Sequence, residues 1–304
     1  MLMKRVLRGA ALLIAAAMTL SACGGQSGKD PLQKPADTAK AAPGKVVVGS
    51  ANFPENVLLA SIYSQALQAK GVQVEEKFNI GTRENYYDQV KSGALTVLPE
   101  YNGALLAYID KTATATSKDE VNTALKSKLP AELEILESSA AEDKDSLTVT
   151  KATAAKHNLK SIADLAKVSK DFVVGGPPEF KQRREAQFKD AYGLTFKSWK
   201  PTGDATPDAL KSDEIQAGNV FTTDPKIIAN DLVSLEDPKN VFSSQNITPL
   251  VHKAGANDTL RTTLNAVSAK LDTQQLVDMM RRIAIDKEDP PAVAKDWLTK
   301  SGLL

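Results

Sequence analysis

Residues 94 to 103 read Ala-Leu-Thr-Val-Leu-Pro-Glu-Tyr-Asn-Gly, an apolar run that ends in a carboxylate, a ring, an amide and a glycine. A strand closing in a turn has this composition. So does a ligand contact, because Glu100 offers charge and Tyr101 an apolar ring with a polar tip. A second charged group, Arg83-Glu84, follows Gly81-Thr82 and reads either as a solvated pair or as the mouth of a cleft. Tyr86 and Tyr87 are adjacent, so a helix turns only one of them toward a cleft. Arg183 lies four residues after Glu179, the spacing of an ion pair on a helix face.

Catalytic groupings do not emerge. The two histidines, His157 and His252, stand in unlike contexts without metal-ligand spacing. The chain has no GxSxG elbow, no P-loop and no HExxH. Gly175-Gly176-Pro177-Pro178 resembles a phosphate-cradling loop, but two prolines remove amide donors from it. An enzyme is therefore not expected, nor a metal or cofactor. Basic and acidic residues number 38 and 37, and no basic patch with interleaved aromatics occurs. Nucleic acid is an unexpected partner on that footing.

The N-terminus bears on compartment. Lys4, Arg5 and Arg8 precede an apolar stretch from Ala10 to Leu20, shorter than the ~20 residues a membrane span needs. It closes in Leu20-Ser21-Ala22-Cys23, which resembles a bacterial lipobox. Residues 1–22 are expected to be a lipoprotein signal peptide, with Cys23 the lipidated mature N-terminus. Cys23 is the only cysteine in the chain, so no intramolecular disulfide is possible. Residues 23–44, rich in Ser, Pro, Ala and Lys without apolar periodicity, read as a flexible linker. The expected location is the extracytoplasmic face of the cell membrane, anchored rather than spanning.

From residue 45 onward, short apolar runs alternate with helical patterns. Strands are expected at Lys45–Gly49, Val72–Phe78, Ala94–Leu98, Leu147–Thr150, Phe172–Gly175, Ala217–Phe221 and Leu232–Leu235. Helices are expected at Asn56–Lys70, Tyr86–Ser92, Ser161–Ala166 and Gln182–Tyr192. A helical tail runs from Asp258 to Leu304, broken at Asp289-Pro290-Pro291. This alternation predicts an α/β fold built on mainly parallel sheets. Two strand groups and a helical tail suit two lobes: residues 45–146 with 251–304, and residues 147–250. The chain would cross between them near 145–150 and 246–251. Ligand crevices in open α/β sheets lie beyond the carboxyl ends of strands, which is where Tyr101 falls.

Three segments together resemble the substrate-binding proteins of osmoprotectant ABC transporters, the glycine betaine, choline and carnitine binders. They are Gly49-Ser-Ala-Asn52-Phe53-Pro54-Glu55, Ile80-Gly81-Thr82-Arg83-Glu84 and Leu98-Pro99-Glu100-Tyr101-Asn102-Gly103. The similarity continues through Ala141–Val149, Glu179-Phe180-Lys-Gln-Arg183, Phe221-Thr-Thr-Asp224 and Leu235–Lys239. The resemblance implies a type II periplasmic-binding-protein clamshell with two interlobe crossovers, closing on a small ligand for a membrane permease and its ATPase. It implies a site drawn from Asn52, Phe53, Thr82, Arg83, Tyr86, Tyr101, Asn102, Asp145, Arg183, Phe221, Thr222 and Gln245.

Not every position keeps the family's residue. Tyr101 and Phe221 retain rings where the family has cage aromatics, and Arg183 retains the arginine that meets a ligand carboxylate. Asp145 and Gln245 stand where the family has two further aromatics, while Ala51 and Ala104 replace a lysine and a threonine. Fewer rings weaken attraction for a diffuse cation. Asp145 offsets that loss by pairing with a cation, and Gln245, Asn102 and Thr222 suit hydroxyl-bearing ligands. The expectation is an osmoprotectant-like pocket re-lined for a more polar, or differently aromatic, molecule. The protein is expected to be a monomer and an importer subunit. A lipid-anchored sensor or scavenger with the same fold is the alternative.

Overall fold

A computed structural model describes residues 45–178 and 180–304. The expected signal peptide, Cys23, the linker and Glu179 lie outside the described residues.

The chain begins with β1 (Val46–Gly49), α1 (Pro54–Ala69), β2 (Val74–Lys77), α2 (Arg83–Ser92) and β3 (Val97–Tyr101). Next come α3 (Asn102–Ile109), α4 (Lys118–Lys128) and β4 (Leu133–Ile135). Then follow β5 (Asp145–Thr150), α5 (Lys151–His157), β6 (Val173–Gly176), α6 (Phe180–Tyr192) and β7 (Ser198–Pro201). The remainder is α7 (Thr206–Lys211), β8 (Ala217–Phe221), α8 (Lys226–Ala229), β9 (Leu232–Ser234), β10 (Ile247–His252), α9 (Asp258–Lys270), α10 (Thr273–Ala284) and α11 (Pro290–Lys300). Where a short helix was expected over Ser161–Ala166, Ile162–Lys167 is wound as 3-10.

Two five-stranded sheets form, ordered β2-β1-β3-β10-β4 and β7-β6-β8-β5-β9. Each has a parallel group, β2-β1-β3 in one and β7-β6-β8 in the other. Into each the chain inserts an antiparallel strand that arrives from the other half: β10 between β3 and β4, β5 between β8 and β9. The sheets are therefore mixed. The molecule is a two-lobed α/β protein, and the links between lobes are residues 136–144 and 235–246.

Apolar periodicity builds the layers. Leu58, Leu59, Ile62, Tyr63, Ala66 and Leu67 of α1 are buried, together with faces of α9, α10 and α11, against one side of the first sheet. Val90 of α2, Leu105 and Leu106 of α3, and Val121 and Leu125 of α4 cover its other side. Each such aliphatic side chain contributes ~1.5–3 kcal/mol on burial. The second sheet is covered by Phe180, Phe188 and Tyr192 of α6 on one face and by Ala209 and Leu210 of α7 on the other. The tail breaks twice: Asp272 caps α10 by accepting from the Gln275 amide at 2.8 Å, and Pro290 and Pro291 open α11, where missing amides cost nothing.

Strand β3 does not stop at Pro99. Pro99 lies opposite Pro249 of β10, so neither ring nitrogen is asked to donate across the ladder. The Pro99 carbonyl instead accepts from Asn56 Nδ2 at 2.8 Å, and Asn56 Oδ1 accepts from the Ala51 amide at 2.7 Å. One amide side chain thus ties the ends of β1 and β3 together. Asn102 opens α3 directly after Tyr101.

Candidate functional site

The register delivers side chains from both sheets to one place. Ile247 pairs with Tyr101 in the first sheet, and Asp145 with Phe221 in the second. Both pairs adjoin the links. The links also bond to each other, the Asp143 amide donating to the Gln245 carbonyl at 3.2 Å, and the Ile247 amide at the start of β10 donates to the Ala141 carbonyl at 3.0 Å.

A cavity of ≈ 280 Å³ opens at this junction. The first lobe supplies Phe53, Tyr101 and Ala104, the links supply Asp143, Lys144 and Gln245, and the second lobe supplies Asp145 and Phe221. Phe53 and Tyr101 lie with ring centroids 6.0 Å apart and planes inclined at 32°. Phe53 is 38% exposed and Phe221 56%, unusual for large apolar rings and consistent with faces left open to a small occupant. A larger hollow of ≈ 640 Å³ lies at the far end of the second sheet, bordered by Thr150, Lys156, His157, Lys211 and Asp213. It gathers none of the junction residues.

The polar wall is acidic. Tyr101 donates its hydroxyl to Glu55 Oε1 at 2.6 Å, so the ring is held from behind by a buried carboxyl. Burial, reinforced by the nearby charge of Asp143, pushes the Glu55 carboxyl up to about 8, although Tyr101 and Thr223 pull the other way. Burial likewise raises Asp143 to about 6, against the opposing effect of Thr223. Asp143 Oδ1 is buried without a hydrogen-bond partner. Lys144 is paired with Glu142 at 2.6 Å, and Asp145 with Arg184 at 3.5 Å. Asp145 also accepts from Asn219 Nδ2 at 3.0 Å. Gln245 spends Oε1 on the Ala104 amide at 2.9 Å.

Five of the residues expected at the site border the cavity: Phe53, Tyr101, Asp145, Phe221 and Gln245. The others are engaged elsewhere. Arg83 forms a two-pronged bond to Glu100, Nε to Oε1 and Nη2 to Oε2, both at 2.8 Å, and Tyr86 donates to Glu100 Oε1 at 2.9 Å. Glu100 is completely buried; Arg83 supplies its counter-charge and Tyr86 a hydrogen bond inside the first lobe, and neither borders the cavity. The solvated Arg83–Glu84 pair is thereby replaced by an inward one.

Asn102 is buried as a brace. Its Oδ1 accepts from the Gly103 and Asn246 amides, both at 2.8 Å, and its Nδ2 reaches Asn122 at 3.0 Å. Thr222 donates to the Glu142 carbonyl at 2.7 Å and accepts from the Lys144 amide at 3.1 Å, pinning a link. Thr82 precedes α2 and bonds Glu84 at 2.5 Å. Asn52 is exposed outside the cavity, with its amide on the Gly81 carbonyl. Arg183 is exposed on α6, while the neighbouring Arg184 turns toward the junction, 4.8 Å over the Phe242 ring.

Sequence reasoning missed Glu55, Asp143, Lys144 and Arg184. Glu55, Asp143 and Lys144 sat inside segments already quoted for the family resemblance, which was the one available signal.

A two-lobed α/β protein with a small cavity walled by both lobes and both links has the architecture of a solute receptor. The family model describing the substrate-binding domain of the ABC-type glycine betaine transport system matches residues 44–300, and the chain belongs to that family. The glycine betaine-binding protein YehZ of Escherichia coli K12 is 28% identical over 277 residues, covering 84% of this chain and 90% of the relative. A glycine-betaine-binding protein of Pseudomonas aeruginosa is 26% identical, covering 84% and 88%. The solved structure of apo YehZ superposes with a TM-score of 0.77 at 26% identity, covering 86% of this chain and 99% of that one. The protein is thus an extracytoplasmic substrate-binding component of an ABC importer, working with a permease and an ATPase, in a transport rather than an enzyme family.

Proposed function

We propose that the junction cavity captures a small organic cation, choline-like in charge, as the two lobes close around it. The carrying observation is the combination at one cavity of three aromatic rings and a buried, unpartnered carboxylate oxygen on Asp143. Ring faces attract diffuse cations, and Phe53 restores a third face beside Tyr101 and Phe221. The other charges nearby are already matched, Lys144 by Glu142 and Arg184 by Asp145. That leaves acid, not base, to meet the ligand.

A zwitterion such as glycine betaine brings a carboxylate into the same wall and binds more weakly on this reading. Gln245, whose Oε1 is occupied, offers Nε2 to a hydroxyl or carbonyl of the ligand. Capture needs no covalent step, because a ligand touching both lobes shifts the population toward the closed form by its differential affinity. Catalytic activity is not part of this reading. Cys23, lipidated, would tether the protein beside its permease, and the protein works as a monomer.

Titration calorimetry with choline and with glycine betaine tests the ligand class. Saturable choline binding, tighter than that of glycine betaine, is expected. Preference for glycine betaine, or no choline binding, contradicts it.

A further inference from the structure

We propose that the solute's positive charge replaces a proton held by the Glu55–Asp143 pair, with Asp143 as the solute's counter-ion and Glu55 as the group that gives the proton up. This rests on the reading of the ligand as an organic cation.

The geometry is that of a buried acid, Glu55, and a half-buried one, Asp143, with no basic partner for either. Glu55 projects from the first turn of α1 and accepts the Tyr101 hydroxyl at 2.6 Å. Asp143 lines the cavity from the link, with Oδ1 unpartnered. Thr223 approaches both carboxyls from the second lobe. Among the described residues, no Lys or Arg forms an ion pair with either acid.

The charges packed around the pair do not remedy this. From β3 comes the Tyr101 hydroxyl, which Glu55 accepts. From β5 comes Asp145, paired with Arg184 of α6. The segment after β8 contributes Asp224, and the link itself contributes Glu142 and Lys144, bonded to each other. Two like charges in such a place are not both sustained, so the apo pair keeps a proton near neutral pH. Glu55 is the holder, since it is buried behind the Tyr101 hydroxyl and away from the cavity, whereas Asp143 borders the cavity that the cation enters.

When a cation enters beside Asp143, its field favours the ionised form of both acids. The Glu55 O–H bond breaks, the electron pair stays on the carboxylate, and the proton passes to solvent. One cation enters and one proton leaves. The site thereby prefers cations without carrying an exposed negative charge when empty, and affinity rises with pH until Glu55 is already ionised in the apo protein.

The test is calorimetry with choline at pH 6 to 9.5, in phosphate and in Tris, whose ionisation enthalpies differ. At pH 7, between about half a proton and one proton should be released per choline, falling toward zero by pH 9.5, with affinity rising about ten- to fifty-fold between pH 6 and 8. Glu55→Gln preserves an acceptor for Tyr101 and should abolish the release at pH 7. Asp143→Asn should lower choline affinity at least tenfold throughout. Carbon-13 NMR of the apo carboxyl groups supplies a ligand-independent reading: Glu55 protonated at pH 7 is expected, and Glu55 ionised overturns the inference. Choline binding with no buffer-dependent enthalpy and a flat pH profile also overturns it while leaving the cation reading intact. Absence of choline binding at every pH removes both.

Discussion

At the level of single residues, the junction separates rings that face a ligand from groups that hold those rings. Truncating Phe53 or Phe221 to Ala removes one face and should weaken choline binding by ~0.5–2 kcal/mol, roughly two- to thirty-fold, with little change in stability because both are exposed. Calorimetry alongside chemical denaturation separates the two effects. Arg83→Ala does the reverse. It strands buried Glu100 without its counter-charge and should cost ~3–5 kcal/mol of stability, read as a lower denaturation midpoint, and a midpoint near wild type would count against the inward pairing. Glu55 makes stability depend on pH. Its folded-state pKa is raised from the ordinary 4.5 to about 8, so its contribution is full below 4.5 and is lost as pH rises toward 8. Glu55→Gln should flatten that slope, and parallel wild-type and variant curves would refute the assignment. Tyr101 was singled out from the sequence by its place at a strand's carboxyl end and by the family motif, and it borders the cavity. Glu55 and Asp143 were not, since nothing in a carboxylate's type distinguishes a buried one among 37 acidic residues; only the fold removes it from water.

The elements around the site show why some boundaries were readable and others were not. The amphipathic pattern of α1 and the apolar run of β1 are local signals, and the structure places both within two residues of the expected ends. Strand β3 was expected to end before Pro99 because proline usually closes a strand. Here Pro99 faces another proline on β10, a pairing that local sequence does not display. Strand β10 was read as a link for the same reason: its identity as a strand depends on neighbours contributed from about 115 to 150 residues earlier. The start of α3 makes a close-packing prediction. A Cβ at Gly103 would lie 2.1 Å from the Ser244 carbonyl oxygen, so the helix approaches the second link more closely than any side chain allows. Gly103→Ala should therefore push α3 and the link apart, lower the melting temperature and disturb the Gln245–Ala104 bond beside the cavity. A melting temperature equal to wild type would mean the two segments are not packed this tightly.

Across the whole molecule, the sequence disclosed an α/β chain with two strand groups and a helical tail, and the resemblance disclosed its family. What it did not disclose is how the twelve expected site residues divide. Asn102 and Thr222 fix the links, Arg83 and Tyr86 fill the first lobe, and five of the twelve remain around the cavity. That division depends on which side of a strand or helix each side chain takes, and family motifs carry both sets together. The links bond to each other beside the cavity, so a ligand seated on Asp143 and Gln245 acts where the lobes join. Choline at 100 times its dissociation constant should raise stability by ~2.7 kcal/mol through native-state binding alone. The most direct measurement is the choline dissociation constant of the wild-type protein beside that of Asp143→Asn at pH 8. The account predicts saturable one-to-one binding by the wild type and at least a tenfold loss in the variant. Equal affinities, or no saturable binding by the wild type, would contradict it.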